Sequence, residues 1–373
     1  RGQGGPKPED EDRRHFQEVC YSLLGYGDDA HEEVRWLNEA YHALAPEDLE
    51  LWTGFDRKKA ILDMKKRVRA NAEFLATLVL SDEDAEEYHT LPSHHQVQER
   101  NAVKVRTVLR QFVRDWAVEG KVERDQQYGP LISALERYVP ISESSVKRPK
   151  VVLPGSGLSR LPFEVTSRGY SAQGNEFSYH MLQGSKWVLN ETSEANSHTI
   201  FPFVFGLGHR KGSRDHLRGV QIPDVCPMQV LCPDGHVKGP QEFSMCAGEF
   251  VEVYEKQKSE WDAVLTCFFL DTAKNVFLYI RTIADMLRPG GLWANFGPLL
   301  FHYAEQPSLI SIELSWEEIK PTVEKYFDIK EEEVREAYYT TNDIGLFHTR
   351  YRCIYFAAIR NSVPTEGISN KVF

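Results

Sequence analysis

The sequence predicts an α/β protein, a parallel sheet with helices on both faces, preceded by an all-helical segment. Three observations carry this. From about His15 to Tyr138 apolar residues recur at three- and four-residue intervals, the period of amphipathic helices. Beyond about residue 150, short apolar runs alternate with amphipathic stretches, the rhythm of βαβ units. One of those runs, WDAVLTCFFLD, is apolar almost throughout, as a strand covered on both faces must be.

Composition bounds the function classes. The 373 residues carry a formal net charge of -11, which argues against a non-specific nucleic-acid binder, because neutralising phosphates needs a basic surface. No apolar run approaches the roughly 18 residues of a membrane span. Cys20, Cys226, Cys232, Cys246, Cys267 and Cys353 are dispersed, with no CxxC pair and no zinc spacing. They read as reduced thiols of a cytoplasmic or nuclear protein, and no metal is expected. Residues 1–14, RGQGGPKPEDEDRR, are polar and read as a disordered tail.

The helical domain is expected over 15–140. Asp56 is placed to cap the long helix beginning DRKKAIL, the polar stretch SDEDAEEYHTLPSHHQ breaks the pattern, and Gly120 ends the helix NAVKVRTVLRQFVRDWAVEG. Gln111 and Arg114 in that helix are three apart and share a face. They read either as a surface pair with a salt bridge to Asp115 or Glu119, or as a lid closing on a carboxylate, which a guanidinium fork matches.

The second domain, 141–373, opens on VVLPGSGLSRLPFEVTSRGYSAQGNE, a strand, a glycine turn, a helix and a second strand ending in an acid. Gly155 and Gly157 permit a tight turn and close approach of a ligand. Glu176 falls where nucleotide-binding units place the acid that holds ribose hydroxyls. Dinucleotide enzymes want a third small residue, and here Ser159 and Arg160 stand near its place. S-adenosylmethionine carries no phosphate and needs only the turn, the acid and an adenine contact, so the departure tilts the reading to a Rossmann-like class I methyltransferase sheet.

FSYHMLQGSKWVLNET reads as a helix on that sheet, and about 205–240, rich in Pro and Gly, as a long inserted loop. A strand before Glu249 and Phe250, the strand ending at Asp271, the helix NVFLYIRTIADMLRPGG stopped by Pro289 and two glycines, the strand LWANFGPLL and the helix capped by Ser315 follow. YYTTNDIGLFHTRYRCIYFAAIR reads as two antiparallel strands. Ligands of such sheets bind at the carboxyl ends of the strands, where Gly155, Glu176, Glu249, Asp271 and His302 fall. Locally, Asp271 also reads as a helix cap and His302 as an ordinary structural histidine.

The segments QFVRDW, LPGSGLSRLPFE, GYSAQGNEFSY, FSMCAGEF, WDAVLTCFFLDTAKN, LRPGGLWANFGPLLFHY and TTNDIGLFHTRYRC resemble the carnosine N-methyltransferase family, most specifically in CFFLDTAKN and NFGPLLFHY. The resemblance implies methyl transfer from S-adenosylmethionine to an imidazole nitrogen of carnosine, giving anserine, or of related histidine peptides. It implies that Gln111, Arg114, Gly155, Glu176, Glu249, Phe250 and Cys267 contact the cofactor and that Asp271, His302 and Tyr351 line the peptide site. Glu249 stands where the family often has Asp, and Thr349 where it tends to have tyrosine. Neither nucleic acid nor membrane is an expected partner, and a homodimer is compatible with the sequence. The competing readings are a protein-histidine methyltransferase, a nucleotide-dependent dehydrogenase and a non-catalytic binding module.

Overall fold

The structure, a computed structural model, describes residues 8–79, 94–142, 147–233, 239–304, 306 and 308–365. In chain order come α1 (Pro8–Leu24), α2 (Tyr26–His42), α3 (Pro46–Leu51), α4 (Arg57–Thr77), α5 (His94–Trp116), α6 (Lys121–Tyr138), β1 (Lys150–Pro154), α7 (Arg160–Ser167), β2 (Ser171–Glu176) and α8 (Tyr179–Asn190). There follow β3 (His198–Ile200), β4 (Val220–Ile222), α9 (Pro227–Leu231), β5 (Phe243–Ala247), α10 (Phe250–Tyr254), β6 (Trp261–Cys267), α11 (Val276–Met286), β7 (Leu287–Gly297), α12 (Trp316–Tyr326), β8 (Phe327–Tyr338) and β9 (Arg350–Arg360). No helix of the described residues is long and apolar enough to cross a membrane.

The described residues of Arg1–Glu119, Tyr179–Cys226 and Asn342–His348 form one compact unit, and those of Gly120–Ser178, Pro227–Thr341 and Thr349–Phe373 another. In the first, α1 packs on α4, α5 and α8. Phe74, Phe112 and Trp187 meet edge to face at its centre, their centroids 5.0–5.7 Å apart. Asn71, fully buried, holds the chain after β3 by its amide, accepting from Phe201 N at 2.7 Å and donating to Phe201 O at 2.9 Å. Burial, with Lys104 and His15 nearby, lowers the His180 imidazole to about 4.

The second unit holds a sheet of order β5-β2-β1-β6-β7-β9-β8 among the described residues. All neighbours are parallel except β9, which runs antiparallel to β7 and β8. Successive side chains point to opposite faces, and the core divides accordingly. Val151, Leu153, Ala263, Leu265, Ala294 and Phe296 pack with Leu131, Leu135, Leu161 and Val165 of α6 and α7. Val152, Val264 and Trp293 pack with Ile280, Ile283, Ile319 and Val323 of α11 and α12. Strand order reverses between β1 and β6, and the crevice at the carboxyl ends of that pair is where such sheets take ligands.

Several boundaries differ from the sequence reading. Helix α1 begins at Pro8, inside the expected tail; proline suits a first helical position and the acids behind it favour a helix N-terminus. The expected divide near 140 does not separate the compact units, because α6 packs on β7 and β8. The helix read as lying on the sheet, α8, groups with α1 and α5, where its buried Gln183 and Trp187 lie. Within the long insertion, the β3–β4 ladder flanks residues 201–219 and α9 follows. The final strand pair begins earlier than expected, since β8 alternates charged residues on an exposed edge. Of the polar break, residues up to 93 lie outside the described residues.

Ser315 caps α12 in a full capping box: its side chain accepts from Glu318 N, and Glu318 Oε2 accepts from Ser315 N at 2.8 Å. Ser315→Ala is expected to cost about 1 kcal/mol, read as a lower urea midpoint with an unchanged slope.

Candidate active site

The turn after β1 is built from left-handed residues, Gly155 at φ +64, Gly157 at φ +54 and Ser159 at φ +64. A Cβ at Gly155 would come within 2.7 Å of the Phe269 ring, so glycine is required there on two counts. Ser156 donates from both its N–H and its hydroxyl to Asn175 O, at 3.0 and 3.2 Å, fixing the turn to the end of β2. The next residue of β2, Glu176, accepts from Gly157 N at 2.8 Å, Phe177 N at 2.9 Å and Ser178 N at 2.8 Å. Burial pushes its carboxyl up, against the lowering pull of those N–H groups. Three of roughly four carboxylate acceptor sites are thereby filled, which leaves room for a further hydroxyl donor.

The strand ends of β6 and β7 close on each other. Phe268 N donates to Phe296 O at 2.8 Å, and Phe268 enters the left-handed region at φ +52. The chain then makes a single 3-10 turn, Leu270–Thr272. Asp271, 2% exposed, accepts from Leu300 N at 2.9 Å, and its own carbonyl accepts from His302 N at 3.1 Å. Thus the loops after β6 and β7 are joined at one residue. Burial pushes the Asp271 carboxyl above its ordinary 3.8, opposed by the Leu300 N–H and by the charge of His302. Asp271 is not the cap of α11; Asn275 is, its side chain accepting from Leu278 N.

An aromatic wall stands at the same ends. Because β9 is antiparallel, its beginning lies at the carboxyl ends of the parallel strands. Tyr351, early in β9, meets the Phe268 ring edge on at 5.9 Å, and Tyr339 stacks on Phe268 at 4.6 Å and 27°. Cys267, half-buried, ends β6. Burial, with Cys267 and Asp271 near, pushes the Cys353 thiol up to about 12, so Cys353 stays a neutral thiol at physiological pH.

Glu249 and Phe250 are more committed than the sequence suggested. Glu249 caps α10, its Oε2 accepting from Val251 N at 2.7 Å and Glu252 N at 3.1 Å. Its Oε1 takes a longer contact from the Tyr279 hydroxyl at 3.4 Å. The Phe250 ring is buried against Phe269 and Tyr279. Gln111 and Arg114 belong to α5 in the helical unit. Both are buried there; Arg114 lies 3.4 Å from Asp115, the ion pair weighed from sequence, and Gln111 Oε1 has no hydrogen-bond partner among the described residues.

The structure therefore brings Cys267, Asp271, His302 and Tyr351 into one region of the sheet unit, with Gly155 and Glu176 at the neighbouring strand ends. Sequence reasoning missed Phe268 and Tyr339. The available signal for Phe268 was the double aromatic in a run otherwise suited to a strand. No group of His, Cys, Asp and Glu among the described residues is arranged to hold a metal ion. For S-adenosylmethionine the residues fit: a turn that only glycine can make, and a carboxylate with an acceptor site to spare for a sugar hydroxyl.

Carnosine N-methyltransferase is the family whose sequence pattern matches residues 92–362. Among individual proteins, the carnosine N-methyltransferase of Mus musculus is 35% identical over 92% of this chain and 86% of that protein. Its counterpart in Dictyostelium discoideum is 34% identical over 94% of this chain and 77% of that protein. The Drosophila melanogaster protein named carnosine N-methyltransferase unmet is 34% identical over 83% of this chain and 71% of that protein. With its family pattern and its similarity across most of its length, the chain belongs to the carnosine N-methyltransferase family.

Proposed function

We propose that the protein transfers a methyl group from S-adenosylmethionine to an imidazole nitrogen of carnosine, giving anserine, or of a related histidine-containing dipeptide. The observation that carries this is Asp271, a buried carboxylate at the carboxyl end of β6 beside the aromatic wall of Phe268, Tyr339 and Tyr351. S-adenosylmethionine supplies, when bound, a methyl group already activated by a sulfonium. The protein's part is then orientation and a free lone pair on the acceptor.

Neutral imidazole has one N–H and one bare nitrogen. Asp271 accepts the N–H, fixes the tautomer and leaves the other nitrogen free to attack. It also opposes the positive charge that develops on the ring as the new bond forms. The flat faces of Phe268 and Tyr339 suit an imidazole ring and exclude water from it. His302 and Tyr351 hold the peptide or relay the proton that leaves the methylated ring from the nitrogen facing Asp271. Glu176 serves the cofactor's ribose, and Gly155 lets it approach the backbone.

Mass spectrometry of carnosine incubated with labelled S-adenosylmethionine and the protein tests the reading. A product heavier by the labelled methyl is expected; its absence, with methylated histidine in proteins instead, contradicts it. Asp271→Asn keeps the shape and loses the charge, so turnover is expected to fall by about 10²-fold with cofactor affinity nearly unchanged. Equal loss of cofactor and peptide binding would assign Asp271 to structure alone. Glu176→Ala is expected to weaken cofactor binding by about 1–3 kcal/mol, measured by calorimetry, while leaving the peptide KM little changed.

The raised Asp271 carboxyl gives a pH dependence. Its native value lies above its unfolded value, so the protonated form is favoured by folding. That stability is full below the unfolded value and fades as pH rises through the native one. Asp271→Asn should therefore gain stability relative to wild type as pH rises above the ordinary aspartate value, read from melting temperatures. Parallel curves for the two proteins would contradict a raised Asp271.

A further inference from the structure

Glu123 lies near the start of α6 and is 6% exposed. Its two carboxylate oxygens accept the backbone N–H groups of Thr340 at 2.8 Å and Thr341 at 2.7 Å. On the next turn, Gln126 Oε1 accepts from Tyr338 N at 3.1 Å and Gln127 Nε2 donates to Tyr338 O at 2.6 Å. Side chains of one helix thus grip the backbone where β8 ends. Thr340 sits there at φ +48, a conformation that costs a β-branched residue dearly. Such strain persists where the surroundings over-determine it, and an ionised carboxylate accepting two N–H groups is a strong restraint.

The strained turn carries Tyr339, whose ring stacks on Phe268 and stands 6.3 Å from Tyr351. Phe268 is itself locked by its N–H to Phe296 O, while Tyr339 is held on one side by its N–H to Thr349 O at 3.2 Å and on the other by the turn that Glu123 grips. We infer that Glu123 is a positioning residue for the methyl acceptor: by holding the Thr340–Thr341 backbone it sets Tyr339 against Phe268. The inference rests on the function proposed above. Glu123 touches no reacting atom in this account. It acts on the peptide side of the site and leaves the cofactor side, built on Gly155 and Glu176, alone.

Steady-state kinetics on the full chain test this. Glu123→Gln keeps one acceptor but turns an NH₂ toward the second N–H. The KM for carnosine should rise about tenfold, with the KM for S-adenosylmethionine unchanged. Adding Thr340→Gly removes the left-handed strain and should restore most of the carnosine KM. A lowered melting temperature with an unchanged carnosine KM, or equal changes in both KM values, would overturn the inference. Glu123→Asp, which keeps the charge and shortens the reach, replaces the amide variant if that one fails to fold, with the same split expected. If wild type does not methylate carnosine, the proposed function falls, and hydrogen exchange still decides the role of Glu123. Faster exchange at Thr340 and Thr341 in Glu123→Gln, with β6 and β7 unchanged, supports the restraint; unchanged exchange at both amides overturns it.

Discussion

The hydrogen bond from Phe268 N to Phe296 O, 2.8 Å long, is the constraint on which the site depends. It closes the ends of β6 and β7, and Gly297 permits it: a Cβ there would stand 3.1 Å from the backbone of Phe268. Beyond this last ladder bond the chain leaves the strand. It turns left-handed at Phe268, and again at Phe301, φ +53, after β7. Between these turns Asp271 takes the Leu300 N–H and gives its carbonyl to His302. Two adjacent strand ends thereby deliver a buried acid and an exposed histidine as one rigid piece of backbone. Non-glycine residues held in such conformations cluster at functional sites, where the surrounding fold sustains the strain.

In the proposed reaction two carboxylates, at strand ends with β1 between them, are given different work by their surroundings. Burial raises both Glu176 and Asp271, but Glu176 accepts three backbone N–H groups, whereas the Leu300 N–H and Asp271's own N–H reach the Asp271 side chain. Glu176 is close to saturated and suits neutral hydroxyl groups, which ask for one acceptor site each. Asp271 keeps acceptor capacity for a ring N–H and charge for a ring becoming cationic. The aromatic wall supplies flat apolar surface and little competing polarity, so that charge is screened less than it would be in water.

Much of this was legible in the chain. The glycine turn with Glu176 behind it and the Ser315 cap follow from short-range rules of backbone geometry and capping, and the structure bears them out; the continuous apolar strand forms too, but stops at Cys267 rather than at Asp271. The domain division was less readable. Helix α6 carries buried Tyr128, Leu131 and Leu135, a pattern equally suited to a helical bundle and to a sheet face, and only tertiary contacts decide between them. Glu123 was invisible for the same reason. Its partners lie 217 and 218 residues away, and no local pattern reports a carboxylate that binds a distant turn. Tyr339 depends on that turn, so it was missed with it. Asp271 could be read from sequence as a cap because a carboxylate before a helix often is one; Asn275, four residues on, performs that role.

The central claim is that Asp271 selects the imidazole tautomer that presents a bare nitrogen to the methyl donor. Nitrogen NMR of ¹⁵N-imidazole carnosine, bound together with S-adenosylhomocysteine, tests it most directly. The account predicts a single neutral tautomer in the bound peptide, with one protonated nitrogen in slow exchange, and reversion to mixed tautomers in Asp271→Asn. Bound wild-type spectra that show the same averaged tautomers as the free dipeptide in water would contradict it.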